Sequence, residues 1–189
     1  SGWPSDAGAR SALAAGAGRV YAVALEPLDA ATTSAPELMW RDASLLDDRA
    51  SLAQATVVAG CGGGERIRGV LASLLSNAAR LVLDADALNA VAGDPSLAAL
   101  TQRRAARGLR TVLTPHPLEA ARLLGLADAR AVQADRLDAA RALARRFGAV
   151  VVLKGSGTIV DDGVATPWIN PSGNALLATA GTGDVLTGT

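Results

Sequence analysis

Five clusters of residue types in this chain suit the handling of a charged, hydroxylated small molecule. Gly181-Thr-Gly-Asp184 lies near the carboxyl end, followed by the apolar Val185-Leu186. A glycine turn that enters a helix offers free N–H groups and a positive dipole end to an anion such as phosphate. The Asp184 carboxylate beside it could take a proton from a hydroxyl as a general base. The same tetrapeptide also reads as an ordinary N-capped turn. Lys154-Gly-Ser-Gly-Thr158 sets a cation before small hydroxyl and glycine residues, which suits nucleotide phosphates; a salt-bridged lysine before a glycine turn is the alternative. Asp84-Ala-Asp86-Ala-Leu-Asn89 offers two carboxylates and an amide for a metal or a hydroxylated ligand. A helix starting near Ala87 could instead be capped by Asp86, so one carboxylate is expected to cap and the other to face a cleft. His116, the single histidine, lies between Pro115 and Pro117 with Glu119 three residues on. A ligand contact is expected for it, while Glu119 either favours a helix's first turn or orders a magnesium-bound water. Gly60-Cys-Gly-Gly-Gly64 lets backbone approach a ligand, or is simply a tight turn; Cys61 is read as a turn residue rather than a nucleophile.

The elements that must position these clusters follow from hydrophobic periodicity. Thr56–Ala59, Arg80–Leu83, Thr111–Leu113 and Ala149–Leu153 are short continuous apolar runs, as in strands covered on both faces. Each runs directly into one of the polar clusters. Ile67, Val70, Leu71, Leu74, Leu75 and Ala78 recur at helical steps, and Leu97–Gly108, Leu118–Leu124 and Asp135–Phe147 give further helices. Ala7–Ala17 predicts a helix and Arg19–Leu25 a strand, with Pro27–Asp48 as a connection. After Lys154, Gly157–Val160 and Val164–Thr166 flank Asp161-Asp-Gly163, a hairpin signal. Alternating strands and helices mean an α/β fold with a mostly parallel sheet. In such sheets ligands bind beyond the carboxyl ends of the strands, where these clusters fall.

Composition excludes several classes. The 189 residues are half hydrophobic but only 3% aromatic, with a formal net charge of zero. Nothing attracts nucleic acid or an anionic membrane over a broad surface. One cysteine excludes an internal disulfide framework and a cysteine-based zinc site. No apolar run is long enough to span a bilayer, and the expectation is a cytoplasmic protein. Residues 1–189 are read as a single domain truncated at both ends.

Leu83-Asp-Ala-Asp-Ala-Leu-Asn89, Leu113-Thr-Pro-His-Pro-Leu-Glu-Ala-Ala-Arg-Leu-Leu-Gly125, Val152-Leu-Lys-Gly-Ser-Gly-Thr158 and Ala180-Gly-Thr-Gly-Asp-Val-Leu-Thr-Gly188, in that order, resemble the ADP-dependent NAD(P)H-hydrate dehydratases of the ribokinase-like superfamily. The resemblance runs from Ala7 onward. It implies a three-layer αβα sandwich and the repair of S-form hydrated NADH or NADPH. ADP, or ATP in some members, would phosphorylate the hydroxyl with Mg2+ present, and phosphate would then be eliminated. Matched by motif, Gly62, His116 and Asp184 would contact the hydrate. Lys154, Gly155, Ser156, Gly157, Thr158 and Gly183 would contact the nucleotide. Asp184 would be the base, and Glu119 would organise the metal indirectly. The resemblance further implies a homo-oligomer, tetrameric in the family, with no nucleic acid or membrane partner, and an NAD(P)H-hydrate epimerase fused upstream or acting separately.

The chain departs from the family pattern at three places. Gly60-Cys-Gly-Gly-Gly64 stands for Gly-Pro-Gly-Leu-Gly, Pro117-Leu-Glu119 for Pro-Gly-Glu, and Gly173-Asn-Ala-Leu-Leu177 for Gly-Asn-Pro-Gly-Met. Two other functions fit the same residues. A small-molecule kinase of the superfamily, acting on a sugar or vitamin alcohol, would use the same phosphate site and aspartate. A nucleotide-binding module without catalysis would need only the phosphate site.

Overall fold

The computed structural model describes residues 6–25, 38–173 and 181–189. Pro27, Pro36 and the Asn174–Leu177 stretch lie outside the described residues. Four parallel strands come first in the main sheet: β3 (Thr56–Ala59), β4 (Arg80–Leu83), β5 (Arg110–Leu113) and β6 (Val150–Leu153). β7 (Ile159–Asp161) and β8 (Trp168–Ile169) continue it antiparallel, giving the spatial order β3-β4-β5-β6-β7-β8. Helices α3 (Ile67–Asn77), α4 (Ala85–Gly93), α5 (Pro95–Ala106), α6 (Pro117–Leu124) and α8 (Arg136–Phe147) connect the strands and pack on one another. This is the mostly parallel α/β arrangement expected from the sequence.

Period-two alternation decides which side chains meet the helices. Leu81, Leu83, Leu113, Val151 and Leu153 are fully buried, with Leu71, Leu75, Leu88, Leu143 and Phe147 of the helices closing over them. Val82, Val112 and Val152, on the opposite sheet face, are half-buried. The core is aliphatic, as the scarcity of aromatics requires.

Three local readings need correction. The connection after residue 25 contains a strand: β2 (Met39–Asp42) pairs in parallel with β1 (Tyr21–Ala24), separately from the main sheet. Helices α2 (Arg49–Gln54) and α7 (Ala129–Ala134) also fall between the elements read from periodicity; each is six residues long, too short to show a helical period. Both are started by an aspartate, Asp48 and Asp128, whose carboxylate accepts N–H bonds from the first turn. The hairpin pairs Ile159 with Ile169 and Val160 with Trp168, not with residues 164–166. The reason is electrostatic. Asp161 is buried and bonded to Arg141 Nε at 3.0 Å, and Arg141 Nη2 also holds the Ala165 carbonyl at 2.7 Å. That ties residues 161–165 into a wide turn against α8 and leaves Val164 in solvent.

The final helix, α9 (Thr182–Gly188), packs on α1 (Asp6–Ala14). Ser11 Oγ donates to the Val185 carbonyl at 2.8 Å. The backbones touch so closely that a methyl on Gly188 would lie 2.0 Å from the Gly8 carbonyl oxygen. A cavity of about 1010 Å³ separates β1 and β2 from the β3 edge, with Ala22, Ala24 and Val57 on its apolar walls and Gly62, Arg66 and Thr187 at its polar end.

Arg104 is the largest fully buried side chain. Its Nη atoms donate to the carbonyls of Leu75 (2.7 Å), Ala78 (2.8 Å) and Arg110 (3.0 Å), and Nε donates to Thr111 Oγ1 at 2.8 Å. It thereby satisfies carbonyls at the end of α3 that lack intrahelical partners. Burial lowers its pKa from 12.5 to about 10, so it stays charged at neutral pH. Arg104→Leu removes these donors and leaves buried carbonyls unpaired, which should cost about 3–5 kcal/mol. Urea denaturation checks this; a midpoint unchanged from wild type would show that the carbonyls find other partners.

Candidate active site

The turns after β3, β5 and β6 each bring one polar side chain toward Asp84. Asp84 follows β4 and is 2% exposed. Its Oδ1 accepts from Lys154 Nζ at 2.7 Å, beyond β6, and from Thr114 Oγ1 at 2.8 Å, beyond β5. Its Oδ2 lies 3.0 Å from Thr187 Oγ1 of α9, whose single proton is shared with the Gly183 carbonyl at 2.7 Å, and faces Cys61 Sγ, beyond β3, at 3.7 Å. An isolated buried carboxylate would be strongly disfavoured; one cation and two hydroxyls make this one tenable. The Asp184 carboxylate joins them: ligand atoms of Cys61, Asp84 and Asp184 lie within 4.8 Å of one another.

The backbone is shaped to allow this convergence. Gly60 has φ +117, and a methyl there would sit 1.8 Å from the Asp84 carbonyl oxygen, so only glycine lets β3 run into the β4 turn. Ala85 follows with φ 40, a left-handed conformation costing roughly 1–2 kcal/mol for a residue with a side chain. The turn is pinned by Asp84 N to Ala59 O at 3.0 Å and Asp86 N to Gly60 O at 3.3 Å.

The expected division of labour between Asp84 and Asp86 is revised. α4 begins at Ala85, two residues before Ala87, with Asp84 at the N-cap position but no cap bond from its side chain. Asp86 falls in the first turn, and its carboxylate reaches the glycine loop to accept from Gly64 N at 2.8 Å. Neither carboxylate caps the helix. Asn89 is taken up by Arg122, at 2.7 Å.

His116 and Glu119 form a reciprocal capping box at the start of α6. His116 Nδ1 accepts from the N–H groups of Leu118 (3.1 Å) and Glu119 (3.4 Å), which assigns the ring proton to Nε2, 3.3 Å from Glu119 Oε1. Glu119 Oε2 accepts from His116 N at 2.8 Å. The His116 side chain is still 47% exposed, whereas Glu119 is buried. One hydrogen bond joins this segment to the lysine turn, from Lys154 N to Pro115 O at 2.9 Å.

Lys154, Gly183 and Asp184 are therefore brought together, with a methyl on Gly183 falling 3.5 Å from Lys154 Nζ. Gly62 is next to Cys61 at the polar end of the cavity. Gly155 to Thr158 form a turn closed by Thr158 Oγ1 donating to Gly155 O at 3.0 Å. Two contributors escaped the sequence reading, Thr187 and Arg136, while Thr114 lay within a candidate strand-end segment without an assigned role. Thr187 carried a signal, since it lies three residues after Asp184 and so shares its helix face.

Cys61 is held as a neutral thiol. Burial first, then the charges of Asp84 and Asp184, push its pKa from 9.0 up to about 12. A raised folded value favours the folded state fully below the ordinary thiol range, and that contribution is lost as pH rises through the folded value. Cys61 in native protein should therefore react with a disulfide reagent far more slowly at about pH 9 than in unfolded chain. Asp84→Asn should lower the pH at which it becomes reactive. Native reactivity matching the unfolded chain would contradict this environment.

Residues 7–189 match a family model described as NAD(P)H-hydrate dehydratase. The ADP-dependent (S)-NAD(P)H-hydrate dehydratase of Neisseria meningitidis is 46% identical over 156 residues, covering 81% of this chain and 51% of that protein. The bifunctional NAD(P)H-hydrate repair enzyme Nnr of Coxiella burnetii is 39% identical over 186 residues, covering 95% of this chain and 36% of its own length. The chain thus spans about half the length of the first relative and about a third of the second. Among solved structures, the ADP/ATP-dependent NAD(P)H-hydrate dehydratase from Bacillus subtilis, co-crystallized with ATP/Mg2+ and soaked with CoA, superposes with a TM-score of 0.71 at 26% identity, covering 96% of this chain and 65% of that one.

Proposed function

The chain belongs to the NAD(P)H-hydrate dehydratase family, and on that premise we propose that it carries the catalytic centre of an enzyme that dehydrates S-form NAD(P)H hydrate at the expense of ADP or ATP. The observation that carries this reading is the Asp184 carboxylate beside the Asp84–Lys154 pair, next to Cys61, which also lines the large cavity. A base and a phosphate-binding cation then lie within one substrate's reach.

In this reading Asp184 accepts the proton of the hydrate's hydroxyl as its oxygen attacks the terminal phosphorus of the nucleotide. AMP leaves when ADP is the donor. The carbon–oxygen bond of the phosphate ester then breaks, phosphate leaving with the bonding pair as the ring nitrogen's electron pair pushes in, and loss of a proton from the adjacent ring carbon to phosphate or water restores the dihydropyridine. Lys154 bonds Asp84 through one of its three donors and can offer others to phosphate oxygens. Gly155, Ser156, Gly157, Thr158 and Gly183 line the nucleotide's path, while Gly62 and the exposed part of His116 face the hydrate. Asp84 holds the lysine in place, and the neutral Cys61 thiol does not compete with Asp184 for the proton.

Magnesium fits this donor set only when the nucleotide supplies most of its oxygens. Asp84 is already saturated, and Glu119 spends both oxygens in its capping box. Mg2+ needs no more than one or two protein carboxylates alongside phosphates and water, so a contact from Glu119 would run through water. Bound with the nucleotide, it would neutralise charge on the phosphates. Residues 1–189 would be one domain of a longer cytoplasmic homo-oligomer, tetrameric by family resemblance, with an epimerase fused or separate.

The full-length protein, given S-form NADPH hydrate, ADP and Mg2+, should restore the absorbance of the reduced nicotinamide. Asp184→Asn should abolish turnover, on the order of a hundredfold or more, with little change in ADP affinity. Sugar phosphorylation without recovery of NADPH would point to a kinase, and ADP binding without turnover to a non-catalytic module. An active Asp184→Asn enzyme would remove Asp184 from the role of base.

A further inference from the structure

We propose that Arg136 is a positioning residue that fixes the peptide planes of the Lys154–Thr158 turn, so that the N–H groups of Gly155 and Gly157 face a bound phosphate. The proposal rests on the nucleotide reading of that turn. Arg136 is the first residue of α8. A cation at a helix N-terminus opposes the helix dipole, so its place there needs another explanation. Its contacts supply one. Nη1 donates to the Ser156 carbonyl, and Nη2 reaches the carbonyls of Leu153 at 3.3 Å and Lys154 at 3.4 Å. One guanidinium thus gathers three carbonyls from four consecutive residues, a task suited to its planar fork of donors.

Each peptide unit is planar and trans, so its C=O and the next residue's N–H point in opposite directions. The first unit shows the consequence directly. Leu153 O turns to Arg136, and Lys154 N–H turns the other way to bond Pro115 O at 2.9 Å. The same rule turns Gly155 N–H and Gly157 N–H away from the guanidinium, because the carbonyls of Lys154 and Ser156 are held on it. Two alternate N–H groups aimed at one side, beside the Lys154 ammonium, offer converging donors to an anion. Gly155 is required for this packing. It has φ +144, and a methyl there would lie 2.9 Å from Arg136 Nη2.

The test uses the full-length protein and the variants Arg136→Gln, Arg136→Lys and Gly155→Ala. Steady-state constants for ADP and for the hydrate are measured, with melting temperature and hydrogen exchange at the backbone amides of residues 154–158. Arg136→Gln should raise the KM for ADP about tenfold or more, with kcat and the hydrate KM changed less than about threefold. Arg136→Lys should recover only part of the loss, because a point charge cannot hold three carbonyls. Gly155→Ala should show the same KM signature by displacing the guanidinium, which covers the case of an unstable Arg136 variant. Exchange at the turn should speed up in Arg136→Gln while the rest of the sheet stays protected. An ADP KM within about twofold of wild type in both Arg136→Gln and Gly155→Ala would overturn the proposal, as would unchanged exchange at the turn. If wild type does not use ADP yet Arg136→Gln still loosens the turn, the nucleotide reading falls and the turn-setting role of Arg136 stands.

Discussion

The site depends on one buried carboxylate. Asp84 takes donors from Thr114, Lys154 and Thr187, with Cys61 against its second oxygen, so four strand ends and the last helix meet on a single side chain. Burying a charge is costly unless donors come to it. That cost explains the surrounding choices: Gly60 lets β3 approach, Ala85 accepts a left-handed backbone to aim the turn, and Gly8 and Gly188 bring α9 close enough to deliver Thr187. The chemistry assigned to Lys154 and Asp184 sits on this frame. Lys154 is steadied by it, and Asp184 is placed beside it by a helix whose own anchor is α1.

Much of the fold was legible in the residues themselves. Arg80–Leu83 and the apolar run ending at Leu153 announce buried parallel strands, and the leucines of α3 announce their helix. What sequence could not reach was set by long-range contact. β2 has no alternating pattern because Trp40, Arg41 and Asp42 are only half-buried or exposed. The hairpin register was decided by Arg141, some twenty residues earlier in the chain. At the site, strand-end placement exposed Lys154 and His116 as candidates, and the glycine turn entering a helix exposed Asp184. It could not separate Asp84 from Asp86, because the choice was made by Gly64 and Lys154, on other loops.

The departures from the family pattern are informative at the glycine loop. There Cys61 sets its thiol against Asp84 and Asp184. The side chain stays uncharged, because burial and two carboxylates keep the thiol protonated. Leu118, in place of glycine after Pro117, is 40% exposed and leaves the His116–Glu119 capping box intact. The Asn174–Leu177 departure lies outside the described residues.

The bond between Thr187 and Asp84 joins residues 103 positions apart. Neighbouring strand–helix–strand units close short loops and can form early in folding, whereas this contact must wait for most of the chain to collapse. The carboxylate that organises the site would therefore acquire its last hydroxyl donor late. Until α9 docks, a molecule could have nearly its whole sheet and core in place and yet be unable to act on a substrate. Far-ultraviolet signals would then recover before activity in a refolding experiment, and the interval between them would report the docking of α9.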